Sequence, residues 1–317
     1  MKTPCFALAA LAALAMPAFA QSGVQPFLGR WDLTLTNERG SWPQWMELSE
    51  KDGKLDGRIQ PRGGAVRPMV AAKVEGGHLL IEVSAAGRGP AVEWDLTSEA
   101  GKLTGVQKQG ENSDTRIAGV RAPELKRPMP KSWGAPEALF NGKDLTGWEP
   151  IGNPANNHWA AKNGELVNEA RGANLRTTRT FQDFKLHVEV NCPNTLPDGK
   201  TQLCNSGIYL RGRDEIQVGS EGGTQPNHEM GALYGFIAPA KDMPLGAGEW
   251  QTFDITLVGR TLTVVRNGVT IHDHVEIPGI TGGALDSNEA EPGPIFFQGD
   301  HDPGMRYRNI TIAFPRN

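Results

Sequence analysis

From residue 24 onward the chain alternates apolar and polar residues in short runs, and the runs are joined by glycine-containing dipeptides. "GRWDLTLTN" alternates Trp31, Leu33 and Leu35, and "FQDFKLHVEVNC" sets Phe184, Leu186, Val188 and Val190 against Lys185, His187 and Glu189. Asp52-Gly53, Gly76-Gly77, Ala100-Gly101, Asn163-Gly164 and Asn267-Gly268 sit between such runs, where two-residue hairpin turns need positive φ. No window carries a helical apolar stripe, and no tandem repeat of fixed period suggests a propeller or solenoid. The expectation is an all-β protein.

Its organisation follows from breaks in that texture. Residues 24–121 hold successive hairpins, the pattern of a small antiparallel barrel or sandwich. Trp42 and Trp45, in the loop-like "GSWPQW", are the better candidates for an exposed aromatic surface, whereas packing accounts for Trp31 and Trp94. A proline-rich joint, 122–136, then separates this module from residues 137–317, whose longer alternating strands fit a β-sandwich. Ahead of both, Lys2, an apolar run from Phe6 to Ala15 and the small-residue triplet before Gln21 predict a signal peptide, 1–20, and therefore an exported protein, periplasmic or extracellular.

Removing that leader takes Lys2 and no acid, leaving 31 basic against 36 acidic residues, net −5. Without a basic cluster, nucleic acid and anionic membranes are poor partners. No stretch after the leader approaches the ~20 apolar residues of a membrane span. Two cysteines remain, Cys192 and Cys204, and in an exported chain they read as one disulfide, worth about 3 kcal/mol in the chain-entropy model.

Strand parity then sorts the candidate chemistry. In "NSGIYLRGRDEIQV", Ile208 and Leu210 face the core while Tyr209 and Arg211 face away; beyond Gly212, Ile216 and Val218 face the core, leaving Glu215 and Gln217 opposite. In "GPIFFQGDHD", Gln298 shares no face with Phe297, and Asp300 and His301 follow at the strand end. If these polar faces coincide, Arg211, Glu215, Gln217 and Gln298 project together with His301 at the rim, an arrangement suited to a polyhydroxylated ligand. Arg211 and Glu215 as a plain surface ion pair is the competing reading. The glycine-rich loop "VGSEGGTQPNHEMGALYGF" adds Glu221, His228, Glu229 and Tyr234, of which Tyr234 could stack on a sugar ring. His272 and His274 form a His-x-His pair with no third metal ligand near in sequence.

The ordered set "EALFNGKDLTGWE", "FQDFKLHVEV", "NSGIYLRGRDEIQV", "GALYGF", "GEWQTFDITLVGRTLTVVRNGV" and "GALDSNEAEPGPIFFQGDHDPGMRYRNITI" resembles the bacterial 3-keto-disaccharide hydrolase family over roughly 137–315. The resemblance implies a concanavalin-like jelly-roll sandwich akin to laminarinases and a carbohydrate substrate already oxidised at C3; the 24–121 module lies outside it. A ketone at C3 acidifies the C2 proton and leaves the C1 aglycone β to the carbanion, so abstraction at C2 expels the aglycone and water completes a net hydrolysis. Such a site needs a base near C2, a group polarising the C3 oxygen and an acid near the glycosidic oxygen. The resemblance places His301 as base or acid, Glu215 as its partner and Arg211 as enolate stabiliser, with Gln217, Tyr234, Gln298 and Asp300 binding the sugar. Nothing in the sequence demands a cofactor, though a divalent ion held by His301 and Glu215 could take the arginine's place. Two other readings compete. A laminarinase-like retaining glycosidase needs Glu-x-Asp-x-x-Glu or a close variant, but Gln217 replaces the aspartate between Glu215 and Glu221. A non-catalytic carbohydrate-binding protein would not need the imidazole.

Overall fold

The computed structural model describes residues 23–84, 91–108, 115–193, 204–220 and 225–316; the expected leader, 1–20, and Glu221 lie outside the described residues. The chain is all-β. Its strands are β1 (Gly29–Asn37), β2 (Gly40–Lys51), β3 (Lys54–Gln60), β4 (Arg67–Pro68), β5 (Ala71–Glu75), β6 (His78–Val83), β7 (Val92–Glu99), β8 (Lys102–Lys108) and β9 (Thr115–Arg121) in the first sheet. Then come β10 (Ser132–Trp133), β11 (Glu137–Ala138), β12 (Trp148–Pro150), β13 (Trp159–Lys162), β14 (Glu165–Asn168), β15 (Leu175–Thr177), β16 (Phe184–Asn191), β17 (Asn205–Leu210) and β18 (Asp214–Gly219). The last are β19 (Trp250–Val258), β20 (Thr261–Arg266), β21 (Val269–Glu276), β22 (Phe296–Phe297), β23 (Arg306–Ala313) and β24 (Pro315–Arg316). Among the described residues no helix is long and apolar enough to cross a membrane.

All five two-residue turns named above close with both central residues at positive φ, from Asp52 (53°) and Gly53 (73°) to Asn267 (48°) and Gly268 (76°). That twist matches the right-handed twist of the flanking strands, which is why these dipeptides punctuate the chain. The first sheet runs β4-β3-β2-β1-β9-β8-β7-β6-β5. Its two ends meet: Met69 N–H donates to Gly57 O and Val70 N–H to Glu82 O, both at 2.9 Å. Segment 67–75 therefore bonds to β3 on one side and β6 on the other, and the sheet closes into a barrel. Trp31, Leu33, Leu35, Met46, Leu48, Trp94 and Leu96 fill its interior.

The later strands form a two-sheet, jelly-roll-like sandwich. One sheet runs β13-β14-β23-β16-β19-β20-β21 with β11 on β23, and the other runs β12-β15-β22-β17-β18. Leu186, Val188, Val190, Phe253, Ile255 and Leu257 of the first pack with Ile208, Leu210, Ile216, Val218 and Phe297 of the second in one core. Burying each such side chain stabilises by roughly 1.5–3 kcal/mol. Cys192 and Cys204 are joined, Cα atoms 6.0 Å apart, just before β17. In β23 the alternation slips: Asn309 takes φ 49° and the register to β16 shifts there, so Tyr307 and Ile310 are both buried. This bulge turns Arg308 to the outer face, where it pairs with Glu189 at 2.7 Å.

"GSWPQW" is not a loop but the start of β2, paired with β1 from Asn37–Gly40 onward. Trp45 consequently points out of the barrel and is fully buried against the sandwich, edge-on to Phe236 at 5.5 Å. The expectation that it is exposed fails because odd positions of β2 face the docked sandwich. Trp42 remains half-buried.

Candidate active site

Hairpin β17–β18 builds the floor of a cleft of about 430 Å³ between the sandwich and the barrel. Its register sets Gly207 opposite Gln217 and Tyr209 opposite Glu215. Because alternate residues share a face, Asn205, Tyr209, Glu215 and Gln217 all line the cleft while Ile208 and Ile216 enter the core. β22 lies beside β17 and delivers Gln298 to the same floor, with Asp300 and His301 just beyond it. Tyr234 closes one side, its backbone N–H donating to Glu215 O at 3.0 Å.

The Tyr209 hydroxyl donates to Glu215 Oε2 at 2.6 Å and accepts from Gln298 Nε2 at 3.1 Å. Space for this pair is made by two glycines. A Cβ on Gly207 would lie 2.3 Å from Glu215 Oε1, and one on Gly283 would lie 2.1 Å from the Tyr209 hydroxyl. Burial first, and the charge of Glu215 second, push the Tyr209 phenol well above its ordinary value, so it stays a donor. Phe296 stacks on the Tyr209 ring with centroids 3.9 Å apart and holds it upright. Among the described residues the Gln217 and Gln298 carbonyl oxygens are buried without a hydrogen-bond partner, and both side chains line the cleft. Buried polar atoms left this way are poised for a polar ligand.

At the rim, Asp300 Oδ1 lies 2.8 Å from His301 Nδ1. That hydrogen bond is the main reason the imidazole is raised above its usual value, against desolvation; Asp300 and Glu215 add charge in the same sense. Burial works to raise the Asp300 carboxyl, but the bond to His301 and its charge outweigh it and hold it low. Asn174 accepts from the Gly299 and Asp300 N–H groups at 2.8 and 3.2 Å, which fixes the turn carrying the pair. Arg171 Nε adds a bond to the Asp300 carbonyl at 2.6 Å.

The structure thus brings together Glu215, Gln217, Tyr234, Gln298, Asp300 and His301. It does not bring Arg211 among them. Arg211 begins the hairpin turn at φ 51°, so strand parity ends at Leu210; its side chain is buried against Asp214 at 3.2 Å, away from the cleft. Tyr209, Asn205 and Asn174 are cleft residues that parity or turn position could have indicated but that were not singled out. His272 is buried on Gly231 O at 2.8 Å, and desolvation lowers it, while His274 is exposed on Asp273, so the two do not converge. Among the described residues no three His, Cys, Asp or Glu side chains gather as metal ligands.

Residues 135–313 match a family described as the 3-keto-alpha-glucoside-1,2-lyase-like domain. Two solved proteins from Parabacteroides distasonis, each provisionally called a glycosyl hydrolase, are similar in part. One is 26% identical over 59% of this chain and 92% of that one, with a TM-score of 0.48. The other is 16% identical over 57% and 94%, with a TM-score of 0.47. Domain 4 of an extracellular arabinanase from Geobacillus stearothermophilus, solved with arabinotriose, is 14% identical over 59% and 94%, with a TM-score of 0.37. No curated protein matches the chain significantly.

Proposed function

This chain belongs to the 3-keto-alpha-glucoside-1,2-lyase-like domain family, and from that premise we propose that it cleaves 3-keto-glycosides, 3-keto-disaccharides among them, by elimination across C1–C2. The observation that carries the reading is the convergence of two unlike proton-holding pairs, Tyr209–Glu215 and Asp300–His301, on one polar cleft. Environments that push two titratable groups apart are how acid and base roles are divided at one pH.

Glu215 is the base. It takes the C2 proton, and the electron pair left behind delocalises into the C3 carbonyl as an enolate. The Asn174 carbonyl oxygen is occupied by backbone N–H groups, which leaves its amide nitrogen as the neutral donor for the C3 oxygen. This role passes from Arg211, which lies outside the cleft. The enolate then collapses back to the ketone, C1=C2 forms, and the C1–O bond breaks with its electrons on oxygen. His301, held protonated by Asp300, gives that oxygen its proton. Addition of water, hydroxyl to C1 and proton to C2, restores a 3-keto sugar. The unpartnered oxygens of Gln217 and Gln298 accept sugar hydroxyls, and Tyr234 packs on the ring. The expected leader and the Cys192–Cys204 disulfide support export.

Reaction in D2O tests the proton step. The released 3-keto sugar should carry deuterium at C2 when wild-type protein acts, and its formation should slow by about 10²–10⁴ with Glu215→Gln. Release with C2 protium retained would exclude the elimination.

A further inference from the structure

The cleft has two walls, and only one is built from the residues that match the family. Ser41, Trp42 and Pro43 at the start of β2, and Arg62, Gly63 and Gly64 after β3, line it from the barrel side. This wall is fixed in place by close backbone approach. Gly63 N–H donates to Gly282 O at 2.8 Å, and a Cβ on Gly282 would lie 2.3 Å from Gly64 O. A Cβ on Gly279 would lie 2.3 Å from Trp45 Nε1, and one on Gly235 would lie 2.8 Å from Ala65 Cα. Any side chain at these glycines would push the walls apart, so their absence sets the width of the cleft.

On that wall Trp42 is half-buried, packs against the barrel core and lines the cleft. The Arg62 guanidinium carbon stands 5.4 Å from the centre of the ring and is exposed. An indole offers a flat apolar face for the C–H face of a pyranose, and a guanidinium offers several donors for hydroxyls around its edge. Glu215 and Tyr209 lie on the floor and His301 at the rim, all on the sandwich side, and the barrel residues line the same cleft within reach of the other half of a glycoside bound there. We propose that Trp42 and Arg62 form the subsite for the departing half of the substrate, a second pyranose ring, and so make the barrel a determinant of specificity. The proposal rests on the function argued above.

The test compares a 3-keto-gluco-disaccharide with methyl 3-keto-glucoside on wild-type protein, Trp42→Ala and Arg62→Ala. Each substitution should lower kcat/KM about tenfold more on the disaccharide than on the methyl glycoside, chiefly through KM, as expected for the loss of one stacked or charge-assisted contact. Equal losses on both substrates, or none, would overturn the subsite. Arg62 is exposed, so its variant carries the comparison should Trp42→Ala fail to fold. If wild-type protein processes neither ketone, the reaction is wrong and the subsite is read by calorimetry with the unoxidised disaccharide and methyl glucoside. Tighter binding of the disaccharide that Arg62→Ala abolishes supports it; no preference in the wild-type protein overturns it.

Discussion

The barrel and the sandwich are made of the same material and use it in opposite ways. Both are antiparallel sheets around tryptophans, phenylalanines and branched aliphatic residues. The barrel buries few polar side chains, and of these Asp32 and Gln60 lie on strands that face the sandwich. The sandwich buries Ser206, Arg211, Asp214, Glu215, Gln217, Arg260, Glu289 and Gln298. Each costs desolvation that an apolar side chain of similar size would not, and an apolar face would serve folding better. Of these, Glu215 and Gln217 on β18 and Gln298 just beyond β22 line the cleft against the barrel. A region that gives up stability in this way is where chemistry is to be sought.

The sharpest way to break the contrast is to exchange what each region loses. Glu215→Gln should lower kcat by about 10²–10⁴ on a 3-keto-glycoside while leaving Tm unchanged or raised, as relief of a buried carboxylate allows. Kinetics and thermal melts on one preparation decide this; retained kcat removes Glu215 from the reaction. Trp31→Ala, deep in the barrel, should do the reverse. It should cost roughly 3–5 kcal/mol of stability and keep kcat per folded molecule, as urea unfolding and titrated activity would report. Equal damage to kcat would mean the barrel core reaches into the chemistry.

Asp300→Asn sharpens the comparison more gently. With the carboxylate present, the imidazole of His301 holds its proton above its ordinary range. The acid form is therefore lost on the alkaline side, and the alkaline limb of kcat/KM against pH lies above about 6.5. The variant removes the negative partner and should move that limb to lower pH. A limb that stays put assigns it to another group.

A further effect, on stability rather than on turnover, sits at the interface of the two regions. Asp32, on β1, is pushed up to about 9, first by burial and then by Glu289 beside it. Glu289 also binds Arg260, and Arg260 reaches the Pro123 carbonyl in the joint. The folded protein therefore keeps a proton that the unfolded chain gives up near the ordinary aspartate value. Stability falls as pH rises between those two values. Asp32→Asn should flatten Tm between about pH 5 and 9, and an unaltered slope would place the proton elsewhere.

Much of this was legible in the sequence because period-2 alternation and positive-φ dipeptides are local. They indicate the strands, the hairpin turns and the β17–β18 face, and the cysteine count in a chain expected to be exported indicates the Cys192–Cys204 pair. What was not legible depended on turns and bulges that reset parity. Counting parity through Arg211, which starts a turn, puts it on the polar face, and Asn309 inserts a bulge that separates Arg308 from Ile310, which parity alone would put on one face. Barrel closure at Met69–Val70 and the burial of Trp45 are contacts between distant segments, which alternation cannot express. Tyr209 was placed on the right face, yet its bond to Glu215 appears only when the two strands are in register.

The central claim is that the Glu215 and His301 wall acts on an oxidised sugar. The most direct measurement incubates the purified protein with a 3-keto-glucoside and, separately, with its unoxidised parent, and follows aglycone release. The account predicts release from the ketone alone, with a transient absorbing enone. Release from the parent glycoside at a comparable rate, or from neither, would contradict it.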